Sequence, residues 1–433
     1  MQHLESGKSA SQAESAGSIP VTGSSQKWYL TSRVPVQTTI PQSATVAKTV
    51  AKRSIVEHGL QPRSEGRSVA ARAALVTLFL SALLACATPA HADGLLCPGS
   101  AHCRPAALHP SPVAEPGGAH LVGRIDTALT DETRARSIMV SAWYPASGRQ
   151  APASYVPAIE PAAQAEIAGR SADWLHTPSA ALDMIGAQAA ATEGAAVDGD
   201  RLPVVVLSPG MGTPRWILSG LAADLASRGF AVVAIDHTGE SPAVQFPDGR
   251  IVLGDEPTMT DDYMRAQLAT RTADMRLVLD RLAVLPIVGA RLDLERIAAL
   301  GHSYGGTTAV QLAASDSRIR AVVSVDGPAG WDRVAAAPTM DRPVLLLDLT
   351  GIWTRSWNAF RDARFESVAV HGAGHYSAAD LCQLGATGAD LCGSLSADHA
   401  ATVTRGVVGA WLDHQLRGME TPRFTAPVIT WRT

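Results

Sequence analysis

The sequence predicts an α/β fold with a mostly parallel central sheet and helices on both of its faces. Three observations lead to this prediction. Apolar segments alternate with helical patterns from about residue 119 onward. Most of the apolar segments run almost unbroken, as strands do when both faces of a parallel sheet are covered. A glycine-rich stretch, GHSYGG at 301–306, separates one such strand from the helix that follows it.

The predicted elements follow one another in the order that such a sheet requires. The helix at 214–229 ends at Gly229, a residue type that often terminates helices. The amphipathic helix at 261–286 carries acidic residues in its first turn, where the helix dipole favours them. The other predicted helices are 307–315 and 397–418. The predicted strands are 136–146, 202–210, 230–239, 296–300, 319–327, 342–351 and 364–372.

One segment, residues 157–199, does not fit the alternation of strands and helices. It is rich in alanine and helical in pattern, and it lies between two predicted strands. We expect either a lid over a binding site or a surface insertion without a function, and the sequence leaves both open.

Composition excludes one class of partner and indicates an exported chain. The 36 Lys and Arg residues are balanced by 40 Asp and Glu, and the basic residues are not clustered, so nucleic acid is not an expected partner. Residues 1–66 have the polar composition of a disordered or wrongly assigned N-terminal extension. Residues 67–92 combine arginines, a short apolar run and a final Ala-His-Ala, which is the pattern of a secretory signal peptide. The protein is therefore expected to be secreted or periplasmic.

Two alternatives to this signal peptide remain. The sequence Leu-Leu-Ala-Cys at 83–86 could be a lipoprotein cleavage site that leaves Cys86 lipidated. Alternatively, the apolar run could be a buried helix. Because signal peptides normally stand at the N-terminus, we also expect residues 1–60 to be removed or not translated. Residues 93–118 would then link the signal to a domain at 119–433.

The cysteines outside the signal form two short-range couples. Cys97 lies close to Cys103, and Cys382 lies close to Cys392. In an exported chain this even count predicts two disulfides. Zinc is the alternative, but neither couple has the Cys-x-x-Cys spacing of a structural zinc site.

The motif with the most chemical content is Gly-His-Ser-Tyr-Gly at 301–305. A G-x-S-x-G sequence between a strand and a helix is typical of a nucleophile elbow, a sharp turn that holds the serine oxygen at the strand's carboxyl end. The motif predicts Ser303 as a nucleophile. An idle serine in a glycine-rich turn is the alternative.

A serine hydroxyl needs a base to take its proton, and in this fold the base follows the serine in the sequence. His371 and His375 both lie just after the last predicted strand. We prefer His375, which follows the loop glycines and has the longer reach. The other two histidines after the serine, His399 and His414, fall in the terminal helix.

An acid must also hold the histidine in the correct tautomer. Asp326 and Asp348 each lie near the end of a predicted strand between the serine and the histidine. Asp348 sits within its apolar run, whereas Asp326 is followed by Gly-Pro and its side chain can leave the strand end. We favour Asp326 and assign Asp348 the role of a strand-end hydrogen-bond acceptor.

Two backbone N–H groups should stabilise a developing oxyanion. One is that of Tyr304, the residue after the nucleophile. The other is assigned to Met211 in the loop SPGMGTPR at 208–215, where glycines allow a substrate to approach the backbone. A simple Gly/Pro turn is the alternative for this loop.

With these residues in place, the chain from about 119 to 418 resembles the platelet-activating-factor-acetylhydrolase-like and dienelactone-hydrolase-like branch of the α/β-hydrolases. The resemblance rests on SAWYPA, VVVLSPGMG, VVAIDHTG, IAALGHSYGG, AVVSVDGP and GAGHYSAADL. It implies Asp326 as the acid, His375 as the base and Met211 as an oxyanion donor. The chain departs from it at Pro209, where the family usually has histidine, and at Ser303, where dienelactone hydrolases have cysteine.

The resemblance implies an exported serine esterase that cleaves short-chain or phospholipid-type esters through an acyl-enzyme. No metal or organic cofactor is implied. The expected partner is a small-molecule or lipid ester, with transient contact to a lipid surface, and the oligomeric state is left open. A cutinase-like polyester hydrolase or lipase is the alternative within the same class. A non-catalytic binding protein on the same scaffold is the alternative from another class.

Overall fold

A computed structural model of the 433-residue chain describes residues 113, 115–148, 150–331, 340–360, 364–420 and 422–432. The predicted extension, the signal peptide, Cys86 and the Cys97–Cys103 couple lie outside the described residues, as does most of the predicted linker. These predictions stay predictions.

The described residues form a central sheet of twelve strands. Their bounds are β1 (Leu121–Asp131), β2 (Arg136–Ser147), β3 (Pro152–Ser154), β4 (Gln188–Glu193), β5 (Ala196–Val197), β6 (Leu202–Ser208), β7 (Ala231–Asp236), β10 (Leu292–His302), β11 (Ile319–Val325), β12 (Val344–Asp348), β13 (Phe365–Val370) and β14 (Ile429–Arg432). The hairpin of β8 (Ala243–Gln245) and β9 (Ile251–Leu253) forms a second, small sheet.

Seven α-helices accompany these strands in the part of the chain that the structure describes. They are α1 (Pro161–Trp174), α2 (Ala180–Gly186), α3 (Ser219–Ser227), α4 (Asp261–Arg281), α5 (Tyr304–Ser315), α6 (Ala389–Cys392) and α7 (Ala397–Arg417). Short 3-10 helices cover Arg215–Leu218, Leu282–Val284, Gly289–Arg291, Thr354–Ala359 and Asp380–Cys382. None of the described helices is both long and apolar enough to span a membrane.

The centre of the sheet is parallel and its margins are largely antiparallel. The strand order is β14-β13-β12-β11-β10-β6-β7-β2-β1-β4-β3, with β5 paired to β2. All pairs from β13 to β7 are parallel, whereas β14, β2 and β3 join their neighbours antiparallel. This architecture confirms the predicted fold class.

Strand β6 shows why the apolar runs are unbroken. Val205 and Leu207 belong to the hydrophobic cluster on one face of the sheet, and Val204 and Val206 belong to the cluster on the other. Because successive side chains of a strand point to opposite faces, a strand covered on both sides needs an apolar residue at every position.

The predicted insertion at 157–199 is built into the sheet through its second half. Helices α1 and α2 occupy the first half, and Ile167, Ala172 and Met184 pack into the main core cluster. The second half contains β4, which pairs with β1 and β3. The sequence predicted helices here because alanine carries no strong signal for a strand, and the strand forms through pairing with distant residues.

The parallel strands end at one edge of the sheet. Gly301 of β10 stands beside Ser208 of β6 on one side and Ser324 of β11 on the other. The residues that follow these three strands therefore meet at a common edge, as expected of open parallel sheets.

Candidate active site

Ser303 occupies the turn between β10 and α5. Its backbone lies at φ 54° and ψ −125°, a region that is unfavourable for a residue with a side chain. The turn is held by a hydrogen bond from the Ser303 N–H to the Val325 carbonyl, 2.8 Å long. A Cβ on Gly301 would lie 2.0 Å from the Gly305 carbonyl oxygen, so only glycine permits this close approach of strand and helix.

His375 lies between Ser303 and Asp326. Its Nε2 is 3.0 Å from the Ser303 Oγ, and its Nδ1 is 2.6 Å from the Asp326 Oδ2. A carboxylate can only accept, so Nδ1 carries the proton and donates to Asp326, which leaves Nε2 free to accept from the serine. This arrangement has the atoms needed to remove the serine proton.

Asp326 lies directly after β11, and its side chain is fixed by the segment after β12. Its φ of 47° is in the left-handed region. The carboxylate accepts from the N–H of Leu349 at 3.0 Å and from the hydroxyl of Thr350 at 2.9 Å. Burial alone would raise its pKa, but the hydrogen bonds from His375 and Thr350 outweigh burial and hold the pKa below its ordinary value.

The other acid and base candidates lie elsewhere. Asp348 accepts from the N–H of Gly351 at 2.8 Å and from the hydroxyl of Thr354 at 2.9 Å, so it fixes the turn after its own strand. His371 is hydrogen-bonded to Thr430 at 2.8 Å. The two remaining histidine candidates lie on α7: His399 and His414.

His302, which precedes the serine, supports the loop that carries His375. Its buried Nε2–H donates to the His375 carbonyl at 2.8 Å, and the two imidazole centroids are 4.7 Å apart. Burial and the neighbouring imidazole lower the pKa of His302 to about 3, so it stays neutral. Sequence reasoning assigned no role to His302, although its position inside the motif places it next to Ser303.

Residues 209–213, here called the oxyanion loop, pass beside the serine. A Cβ on Gly210 would lie 3.4 Å from the Ser303 Cβ, so this part of the loop lies within about one side-chain atom of Ser303. The N–H of Met211 has no acceptor among the described residues. The Met211 side chain packs with Tyr304, whose hydroxyl donates to the Met264 carbonyl. Both predicted oxyanion residues thus lie at the site.

A buried ion pair, Arg271 with Glu240, lies behind the oxyanion loop. Both side chains are buried, and Arg271 donates to Glu240, to the Pro209 carbonyl and to Ser208. Glu240 accepts the N–H of Gly212 at 3.1 Å. Burial raises the pKa of Glu240 in spite of the facing guanidinium. Sequence reasoning missed this pair, because Glu240 and Arg271 lie among polar neighbours and nothing in the sequence marks either as buried.

The loop that carries His375, residues 371–395, is here called the histidine loop. The His375 N–H donates to the Asp390 carbonyl at 3.2 Å, and the Ser377 hydroxyl donates to the Cys392 carbonyl at 2.9 Å. The predicted disulfide between Cys382 and Cys392 is present and closes this loop. In the described part of the chain, no group of three or more His, Cys, Asp or Glu side chains is arranged to hold a metal ion.

A solved structure resembles this arrangement over most of the chain. It is a ferulic acid esterase from Streptomyces cinnamoneus, which is 31% identical in sequence and superposes with a TM-score of 0.63. The match covers 74% of this chain and 99% of that one. The chain belongs to the α/β-hydrolase family.

Two family models match this α/β-hydrolase. The model described as alpha/beta hydrolase fold matches residues 203–381, a range that contains Ser303, Asp326 and His375. The model described as platelet-activating factor acetylhydrolase, isoform II, matches residues 109–249, a range that ends before the elbow.

Curated relatives match the α/β-hydrolase over shorter stretches. A probable 1-alkyl-2-acetylglycerophosphocholine esterase from Arthroderma benhamiae is 31% identical over 137 residues, 32% of this chain and 34% of the relative. A platelet-activating factor acetylhydrolase from Cavia porcellus is 26% identical over 154 residues, 30% of this chain and 35% of the relative. The chain thus spans about a third of the length of these curated relatives.

Proposed function

We propose that this protein hydrolyses carboxylic esters through Ser303, His375 and Asp326. The observation that carries the proposal is the position of one imidazole, 3.0 Å from the serine oxygen and 2.6 Å from a buried carboxylate. The strained elbow and the free Met211 N–H beside it support the same conclusion.

In the proposed mechanism the Ser303 Oγ attacks the ester carbonyl while His375 Nε2 takes its proton. The negative carbonyl oxygen is stabilised by the N–H groups of Met211 and Tyr304. Collapse of this intermediate breaks the ester C–O bond, and His375 gives its proton to the departing alcohol. Water, deprotonated by the same imidazole, then attacks the acyl-serine. The bond between the acyl carbon and Ser303 Oγ breaks, His375 returns the proton to Oγ, and the carboxylic acid leaves.

For the substrate, we propose short-chain or phospholipid-type acyl esters. The relatives named for 1-alkyl-2-acetylglycerophosphocholine and platelet-activating factor support this class, although each match covers only about a third of the chain. Esters of ferulic acid are a second candidate, because the structural neighbour named for them matches nearly its whole length.

The proposed function is tested with the purified mature protein and its Ser303→Ala variant. The substrates are p-nitrophenyl acetate, p-nitrophenyl butyrate, 1-alkyl-2-acetylglycerophosphocholine and methyl ferulate. We expect hydrolysis by the wild type and a loss on the order of 10⁶ in kcat in the variant, as for other catalytic serines. A variant that keeps near wild-type turnover would contradict the assignment. The ratio of kcat/KM values for the acetyl and feruloyl esters decides between the two substrate classes.

We further propose that the protein is exported through the segment 67–92. The basic, apolar and Ala-His-Ala pattern of this segment and the Cys382–Cys392 disulfide support the proposal, because disulfides persist in oxidising compartments. N-terminal sequencing of the protein recovered outside the cytoplasm should begin at Asp93. A full-length chain retained in the cytoplasm would refute export.

A further inference from the structure

Most polar backbone groups of the oxyanion loop are engaged by fixed partners. The contacts in chain order are Pro209 carbonyl with Arg271, Gly210 carbonyl with the Thr213 hydroxyl at 2.9 Å, Met211 carbonyl with Trp174 Nε1 at 3.3 Å, and Gly212 N–H with Glu240 at 3.1 Å. The carbonyl oxygens of Pro209, Gly210 and Met211 are thus all hydrogen-bonded. The Met211 N–H, which has no acceptor among the described residues, lies between these fixed groups. Fixed peptide planes give that N–H a fixed direction.

The contact from Trp174 is unusual because this residue belongs to the alanine-rich segment 157–199. Its indole N–H donates to the Met211 carbonyl. Its ring also occupies the space in which Gly212 would have a side chain, since a Cβ there would lie 2.1 Å from the indole. Gly212 has a φ of 63°, which glycine adopts without strain. The indole ring therefore packs directly on the backbone of Gly212.

The position of Trp174 is itself set by the core. Trp174 is the last residue of α1, whose Ile167, Ala168 and Ala172 are buried in the main hydrophobic cluster. The turn after the helix is closed by a 2.8 Å hydrogen bond from the Thr177 N–H to the Ala172 carbonyl. The indole is thus anchored independently of the loop that it contacts.

The peptide between Met211 and Gly212 is held from both sides. Trp174 binds its carbonyl, and Glu240 binds its N–H. These two side chains come from separate elements, so rotation of this peptide requires both contacts to break. The neighbouring Gly210–Met211 peptide carries the Met211 N–H. Thr213 holds its carbonyl end, and at Met211 it joins the peptide that Trp174 and Glu240 hold.

We propose that Trp174 is a positioning residue that fixes the direction of the Met211 N–H for oxyanion stabilisation. The inference rests on the proposed function and gives the segment 157–199 a role in turnover. Trp174 does not touch the reacting atoms. It acts through the Met211–Gly212 peptide, so its loss should weaken binding of the transition state more than binding of the substrate.

The test compares Trp174→Phe and Trp174→Leu with the wild type, and Asp173→Asn serves as the matched control. Phe keeps a ring against Gly212 but removes the N–H, whereas Leu removes both. Asp173 is the exposed neighbour on the same helix. Active sites are counted with a fluorophosphonate so that kcat refers to folded enzyme. The affinity of a trifluoromethyl ketone, which forms a tetrahedral adduct with the serine, reports oxyanion stabilisation.

For Trp174→Phe we expect kcat to fall about tenfold with KM nearly unchanged, and for Trp174→Leu a larger fall. Both losses should stay below the 10²–10³ that removal of an oxyanion donor costs, because the donor is still present. Trifluoromethyl ketone affinity should fall by the same factor as kcat/KM, and Asp173→Asn should match the wild type.

Two outcomes would overturn the inference. One is an unchanged kcat in both Trp174 variants. The other is a fall in kcat per titrated site with no loss of trifluoromethyl ketone affinity, since the lost rate would then come from a step other than oxyanion stabilisation. Failure of the proposed function would be distinct, because Ser303→Ala would then keep its activity.

Discussion

The two loops that flank Ser303 are held by different kinds of contact. The oxyanion loop is fixed from behind by side chains, chiefly the buried pair of Arg271 and Glu240. The histidine loop is fixed mainly by its own backbone hydrogen bonds and by the Cys382–Cys392 disulfide, and Asp380 ties it to α3. One loop therefore depends on buried charge and the other on a covalent link. The two sides of the site should therefore lose their structure under different perturbations.

The largest effect is expected at the acid that supports His375. Asp326→Asn should lower kcat by about 10⁴, because an amide favours the wrong imidazole tautomer. Asp348→Asn is the matched control, since Asp348 fixes the turn after its strand and pairs with Arg432 but does not contact His375. Steady-state kinetics on both variants check the assignment. A larger loss in Asp348→Asn than in Asp326→Asn would show that the wrong carboxylate has been chosen.

The next largest effect is expected when the buried ion pair that supports the oxyanion loop is broken. Arg271→Met leaves the buried Glu240 carboxylate without its guanidinium partner, which should destabilise the fold by about 3–5 kcal/mol. In the fraction that folds, kcat should fall by up to about 10²-fold, because the Pro209 carbonyl loses its donor. Urea unfolding and kinetics per titrated site measure the two effects.

Two further variants sharpen this result. Glu240→Gln combined with Arg271→Met should recover part of the lost stability but not the activity. Arg276→Met on the same helix removes only surface contacts, namely one hydrogen bond and one long ion pair. It should change stability by less than about 1 kcal/mol. If Arg271→Met behaves like Arg276→Met, the buried pair does not support the loop.

A smaller effect is expected when the covalent link of the histidine loop is removed. Replacing both Cys382 and Cys392 by Ser should lower the free energy of unfolding by about 2–4 kcal/mol, because the unfolded chain gains freedom. We expect kcat to fall only a few-fold, since the backbone hydrogen bonds of the loop remain. Denaturant unfolding with and without reductant gives the measurement. An unfolding free energy equal to that of the wild type would argue against a stabilising role.

The smallest effect concerns Asp380, which ties the histidine loop to α3. Its carboxylate accepts the Gly220 N–H at 2.9 Å, and burial raises its pKa to about 6. A raised carboxyl pKa means that the folded state binds this proton more tightly than the unfolded state does. The contribution of Asp380 to the free energy of unfolding therefore falls as the pH rises from about 4 to above 6 and the buried carboxyl loses its proton.

Asp380→Asn removes that titration. Relative to the wild type, the variant should gain stability between pH 4.5 and pH 7 by roughly 2 kcal/mol. Thermal unfolding at several pH values tests this gain. Parallel stability curves for the two proteins would mean that Asp380 does not titrate in this range.

Local sequence predicted the parts of this molecule that depend on local chemistry. Unbroken apolar runs predicted the central strands, and the glycines around Ser303 predicted the elbow, because both patterns follow from backbone sterics and burial. The choice of Asp326 over Asp348 came from the residue that follows each aspartate and from the resemblance to a known family. The structure brings Asp326, not Asp348, to the imidazole.

The parts that sequence reasoning missed are formed by distant residues. Strand β4 forms because β1 and β3 pair with it, and nothing in its own alanine-rich composition favours a strand. The contacts of Trp174, Glu240 and Arg271 with the oxyanion loop join segments that are far apart along the chain. A single sequence gives no signal for such contacts, because they depend on how the elements pack.

The most direct test of the central claim is covalent labelling of the active protein with a fluorophosphonate, followed by peptide mass spectrometry. The account predicts one label per chain, on Ser303, and a label rate that falls steeply in His375→Ala but little in His371→Ala. An active wild-type protein that takes up no label on Ser303, or a rate that does not depend on His375, would contradict it.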